Sequence, residues 1–177
     1  MIYEIKKGQK DWKPVEFPCI YFPRVGSQWI FDIEFTESCY YNWLPDMDQH
    51  DYNKIGGVTN ALSLNNVDNA LIGWRPSLMA KNLFEIVPYF NVGSAFEIGN
   101  PLITGPGVTN RVIITYKGDK TFETQIESME PMERKLNKFW FGRRIGMNMG
   151  GANNAPGPYG GVASQDMEMY VTYWYVR

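Results

Sequence analysis

Hydrophobic and polar residues alternate with a period of two along much of the chain, most cleanly over Gln28–Thr36. There Trp29, Phe31, Ile33 and Phe35 fall on one side and Ile30, Asp32, Glu34 and Thr36 on the other, the pattern of a strand buried on one face. Similar runs at Gly57–Leu64, Ala70–Arg75, Leu83–Asn91, Val112–Tyr116, Thr121–Ile126, Lys138–Met149 and Met167–Val176 predict further strands. The loop Lys117-Gly-Asp-Lys120 offers a glycine for positive φ between two of them, which predicts a β-hairpin over 112–126. Only Ser128–Leu136 suggests a helical turn, with Ser128 as N-cap and Pro131 keeping it short. Glycine and proline mark 147–164 as loop.

Eight or more short strands without intervening helices predict an all-β fold, a two-sheet antiparallel β-sandwich of the jelly-roll kind. The closing strand should place Met167, Met169, Val171, Tyr173 and Tyr175 on one face and Glu168, Tyr170, Thr172, Trp174 and Val176 on the other. Both faces are mostly apolar after Glu168, so the strand is expected in the middle of a sheet or under cover, beside the N-terminal segment. Residues 1–25 differ from the sandwich at 26–177. Pro14, Pro18 and Pro23 interrupt Trp12, Phe17, Ile20 and Phe22, which predicts an extended arm with room for one edge strand, lying over the sandwich or over a neighbouring chain. Such an arm would lend those four apolar side chains to a neighbouring subunit as an interface.

A chain of 177 residues suits one domain. Lys plus Arg number 17 against 19 Asp plus Glu, with the basic residues scattered, so a phosphate-tracking nucleic-acid surface is excluded. No run approaches the ~18 apolar residues of a membrane span. The N-terminal residues lack the apolar core of a signal peptide, and the expectation is synthesis in the cytoplasm without export by the general secretory route. Two cysteines, Cys19 and Cys39, are read as free buried thiols rather than a disulfide framework.

Candidate chemistry is sparse. The one histidine, His50, has no nucleophile elbow to serve. Asp46, Asp48 and Asp51 have a spacing that could give oxygen ligands to a structural Ca²⁺, or could form an acidic solvent loop; the glycine and distal glutamate of an EF-hand loop are missing. No glycine-rich loop is followed by the Lys-Ser/Thr and helix of a phosphate cradle. Tyr40, Tyr41, Trp43 and Tyr52 crowd one polar loop, and Trp74-Arg75 ends a strand. Tyr41, Trp43, Tyr52, Trp74 and Arg75 are therefore candidates for stacking on a sugar or anchoring a protein, unless these rings cap the ends of the core.

The C-terminal residues resemble the closing strands of the laminarinase and lichenase hydrolases of the concanavalin A-like sandwich superfamily. Phe139–Phe141 with Ile145–Gly151 match the hydrophobic strand, Asn153–Pro158 the loop and Met169–Val176 the last strand. The Gly118 hairpin is similar to one in laminin G-like and lectin sandwiches. The resemblance implies a concanavalin A-like jelly roll. It also implies a catalytic Glu, Asp, Glu set alternating on one strand, with nucleophile and acid about 5 Å apart. Asp32, Glu34 and Glu37 approach that set, but the first two residue types are exchanged and they stand too early in the chain. They are read as the solvated face of a strand, so the expectation is a protein without catalysis.

A lectin-like sandwich with no leader and no active site implies a structural or adhesive module of a bacteriophage virion, as a capsid decoration, head fibre or tail appendage. It would be homo-oligomeric and contact other virion subunits and glycans. The alternative is a carbohydrate-binding protein or degenerate β-glucanase-like hydrolase.

Overall fold

In the computed structural model the described residues are 1–14, 19–42, 51–61, 67–93, 95–145, 149 and 163–177, with 143–145 followed in backbone only. They form two antiparallel sheets facing each other. One sheet has the order β1-β13-β3-β9-β10-β11, from Ile2–Ile5 (β1), Met167–Val176 (β13), Gln28–Phe35 (β3), Thr109–Gly118 (β9), Thr121–Ile126 (β10) and Met132–Lys135 (β11). The seven-stranded sheet has the order β2-β12-β4-β5-β6-β7, from Ile20–Tyr21 (β2), Gly142–Ile145 (β12), Asn53–Asn60 (β4), Asn69–Pro76 (β5), Phe84–Val92 (β6) and Ala95–Ile98 (β7). Leu102–Thr104 (β8) also pairs with β6. The all-β sandwich expected from the periodicity is the fold of the chain.

Alternation decides the core. Trp29, Phe31, Ile33 and Phe35 of β3 are fully buried and meet Trp74, Phe84, Ile86 and Phe90 of the opposite sheet in one cluster. Phe35 stacks on Phe84 at 4.5 Å between centroids and tilts against Trp74 at 5.1 Å. Each such side chain contributes roughly 1.5–3 kcal/mol by leaving water. Strand β13 alternates buried and exposed through Val171 and lies between β1 and β3. At the β9–β10 hairpin Asp119 (φ 47°), Lys120 (φ 64°) and Gly118 (φ 95°) all take positive φ, the demand of a tight right-twisted connection.

Several expectations are corrected. Residues 128–136 hold no helix: Pro131 precedes strand β11, which extends the sheet beyond β10. Among its described residues the run 138–149 is strand over Gly142–Ile145. The strand expected from Gly57 begins at Asn53, where a bulge between Lys54 and Gly56 keeps Ile55 in the core. Residues 1–25 supply two edge strands, β1 on β13 and β2 on β12, where one was expected, so the described part of the arm lies on the chain's own sandwich. Trp12 belongs to the chain's own core, 2% exposed and edge-on to Trp74 at 6.4 Å, so it is not lent to a neighbour.

Candidate functional site

The outer face of the seven-stranded sheet differs from an ordinary solvated face, because β4, β5 and β6 are buried almost throughout on both sides. Trp74, Ala70 and Ile72 point into the core with Phe84, Ile86 and Phe90, so alternation turns Asn69, Leu71, Gly73 and Arg75 outward together with Glu85, Val87, Tyr89 and Asn91. Register aligns them in rows: Arg75 opposite Glu85, Lys54 opposite Gly73 and Val87, Leu71 opposite Tyr89, and Thr59 opposite Asn69 and Asn91. Gly73 lets Val87, Tyr52 and Tyr89 close over the middle of this face. A Cβ there would lie 2.9 Å from Val87 Cγ2, 3.2 Å from Tyr52 Cβ and 3.4 Å from Tyr89 Cδ2.

Two charged groupings occupy the face. At one end Glu85, 3% exposed, accepts hydrogen bonds from the Tyr52 hydroxyl and Arg75 Nε, both at 2.8 Å, while the guanidinium lies 4.2 Å from the centre of the Tyr52 ring. Desolvation alone would raise the Glu85 pKa, but the Tyr52 and Arg75 hydrogen bonds outweigh it and hold the carboxyl below its usual range. Burial and the bond to Glu85 push the Tyr52 phenol upward. In the second grouping Lys54 Nζ donates to Tyr52 O at 2.6 Å and sits 4.3 Å from the centre of the Tyr89 ring. Burial lowers the Lys54 ammonium to about 8, against the opposing attraction of Asp51. Burial, followed by Asp51, raises Tyr89. At neutral pH the face therefore presents a largely protonated amine in a poorly solvated place beside a phenol that keeps its proton, an arrangement suited to holding an anionic group.

The sequence candidates divide. Tyr52 and Arg75 come together on this face. Tyr41 (3% exposed) and Trp74 (fully buried) are corrected: both rings point into the core, 6.2 Å apart, and Asn53 Nδ2 donates to the Tyr41 hydroxyl. Trp43, Phe17, Asp46, Asp48 and His50 lie outside the described residues. Asp51 is half-buried and acts on Lys54 and Tyr89. Among the described residues no three His, Cys, Asp or Glu side chains come together as a metal site. Asp32 and Glu34 share the outer face of the other sheet, where Asp32 pairs with both Nε and Nη2 of Arg111 at 2.8 Å and Glu34 accepts from Thr109 Oγ1 at 2.9 Å. Glu37 stands in a 3-10 turn beyond the strand, so the three carboxylates do not alternate along one strand. Cys39 is buried and Cys19 exposed, both as thiols. Ile20 and Phe22 are 59% and 65% exposed.

Lys54, Glu85, Tyr89 and Asn91 were not singled out from sequence. The signal was present in Phe84–Val92, whose alternate positions Glu85, Val87, Tyr89 and Asn91 form one face of mixed polarity.

Two facing antiparallel sheets define the class as a jelly-roll sandwich, and comparison with solved structures agrees. Alginate lyase Aly36B superposes with a TM-score of 0.66 at 11% identity, over 99% of this chain and 79% of that one. An alginate lyase from Pseudomonas aeruginosa gives 0.50 at 11% identity, over 85% of this chain and 64% of that one. At such identity the likeness is one of fold. No protein-family model matches the chain, and no curated protein matches it. Among the described residues no helix is long and apolar enough to cross a membrane.

Proposed function

We propose that this domain binds an acidic polysaccharide where the half-exposed Lys54, Arg75 and Tyr89 reach solvent on the outer side of its seven-stranded sheet. The observation that carries the reading is Lys54, a cation kept half-buried against the Tyr89 ring on a sheet face where an apolar residue would cost less. An anionic sugar would return to the ammonium the stabilisation that water no longer supplies. The fold shared with two alginate lyases supports a polyuronate as the first ligand to try. Binding without bond cleavage is the activity proposed, since the Tyr52 hydroxyl and Arg75 are committed to Glu85. Calorimetric titration with alginate and with the neutral glucan laminarin tests this. Alginate should bind, laminarin should not, and Lys54→Met should lose most of the affinity. Equal binding of both polymers, or full binding by Lys54→Met, overturns the reading. The ultraviolet absorbance of an unsaturated uronate in the same mixture would show a lyase instead.

A second reading, contact with other subunits of an assembly such as a bacteriophage virion, has its own observation. Ile20, Phe22, Val25 and Trp140 are exposed beside edge strand β2, and Phe22 stacks on Phe141 at 5.4 Å. Light scattering should then find an oligomer that Phe22→Ser with Trp140→Ser converts to a monomer. A wild-type monomer removes this reading.

A further inference from the structure

Beyond Tyr89 the same face continues onto the margin formed by β7 and β8, and its chemistry changes there. Register places Phe96 opposite Asn91, Ile98 opposite Tyr89 and Ile103 opposite Glu85, so all three turn outward with their partners. They are 63%, 41% and 44% exposed. From the Glu85 row to the Asn91 row is six residues of strand, roughly 20 Å. This is an apolar strip parallel to the charged one, one strand further out.

Phe96 is held in a defined orientation. Its ring stacks on Tyr89 at 5.8 Å with an interplanar angle of 7°, and the Lys54 ammonium lies against that same Tyr89 ring. Its neighbour Glu97, on the other side of β7, accepts from Arg134 Nε of β11 at 2.6 Å, which ties the edge strand to the opposite sheet. A pinned, exposed aromatic ring near the Lys54 ammonium suits the two-sided character of a sugar unit, with hydroxyl and carboxylate groups at its rim and C–H groups on its ring face.

We propose that Phe96, with Ile98 beside it and Ile103 farther along the same margin, is a stacking subsite that takes the apolar face of pyranose rings of the chain whose charged groups meet Lys54. The inference rests on the polysaccharide reading above and names the residue that extends the site along a longer ligand. It commits to a saccharide because the strip is continuous, through Tyr89, with the cationic row rather than isolated on a bare surface.

The test titrates alginate dimers and hexamers into wild type, Phe96→Ala, Phe96→Trp and Lys54→Met, with circular dichroism confirming the fold of each. Phe96→Ala should weaken the hexamer about tenfold and the dimer much less, because only the longer ligand spans both rows. Phe96→Trp should restore or exceed wild-type affinity, which a merely structural role for the ring would not produce. Hexamer binding by Phe96→Ala at wild-type strength, with Lys54→Met defective, overturns the subsite and leaves the polysaccharide reading standing. Failure of Phe96→Trp to rescue a defective Phe96→Ala also overturns it. If wild type binds neither oligosaccharide, both the subsite and the reading beneath it fall.

Discussion

Replacing Lys54 by methionine separates two effects of pH that run in opposite directions. The folded amine titrates at about 8 where an ordinary lysine titrates at 10.5, and each unit of such a shift is worth about 1.4 kcal/mol. Burial of the charged form therefore costs up to roughly 3.5 kcal/mol, an upper bound because the side chain is only partly out of water. Between the two values the unfolded chain binds the proton and the folded chain has released it, so the Lys54 contribution to stability rises with pH across that window. Below about 8 both states are protonated and the cost is fully present. Binding of an acidic ligand should do the reverse and decline as pH rises through about 8, because the charge that attracts it is lost. Cys39 complicates the raw profile. Burial pushes its thiol up to about 12, so an unfolded thiol ionises first and stability falls with alkalinity. The quantity to measure is therefore the difference between wild type and Lys54→Met, in which the Cys39 effect cancels. Urea denaturation followed by the fluorescence of buried Trp29 and Trp74 gives it at several pH values. The methionine variant should be the more stable near neutrality by an amount that shrinks towards pH 10. A difference independent of pH would refute the account of Lys54 as a desolvated cation.

Val171 is 2% exposed on the inner side of β13, so Val171→Asp should lower stability by about 3 kcal/mol or more, read from the denaturation midpoint. Gly73→Ala should cost about 1–3 kcal/mol through overpacking against Val87, and should weaken polysaccharide binding in titration because Val87 and Tyr52, which support Arg75 and Lys54, must shift. Asp32→Asn removes a pair whose Arg111 side chain is 53% exposed; its denaturation midpoint and polysaccharide affinity should both stay close to wild type.

The parts of the fold legible in the sequence are those where one face of a strand is wet. In β3 each of Trp29, Phe31, Ile33 and Phe35 is followed or preceded by a half-exposed residue, and the period of two survives into the sequence. The β9–β10 hairpin is legible for the same reason, with its glycine at the turn. Strands β4, β5 and β6 lose that signal because both faces are covered: Leu71 and Val87 are as buried as Ile72 and Ile86. A run such as Ala-Leu-Ile-Gly-Trp shows a strand but not which of its sides holds chemistry. Trp74 is legible as the end of a strand but its direction is not: a tryptophan beside arginine reads as exposed, whereas its neighbour across the pleat, Arg75, is the one that faces out. Lys54 was overlooked because it precedes the bulge at Ile55, three residues before the expected strand began. Strand β7, exposed at all four positions, carries no alternation of burial to detect.

The two outer faces of the sandwich differ in what it costs to hold their charges. On β3 the carboxylates of Asp32 and Glu34 alternate correctly, but each is answered by a neighbour: Asp32 by Arg111, whose guanidinium also lies 5.3 Å from the Trp174 ring centre, and Glu34 by Thr109. Water reaches these groups, so holding them costs little and implies little. Across the molecule Arg75 and Glu85 are 15% and 4% exposed as side chains, and removing either from such a pair leaves a charge where water does not compensate. Lys54 lies in the same cover with its charge directed at an aromatic ring and a carbonyl. Charge that is expensive to retain distinguishes a face from one that is merely polar, and that difference in desolvation places the candidate site on β4, β5 and β6.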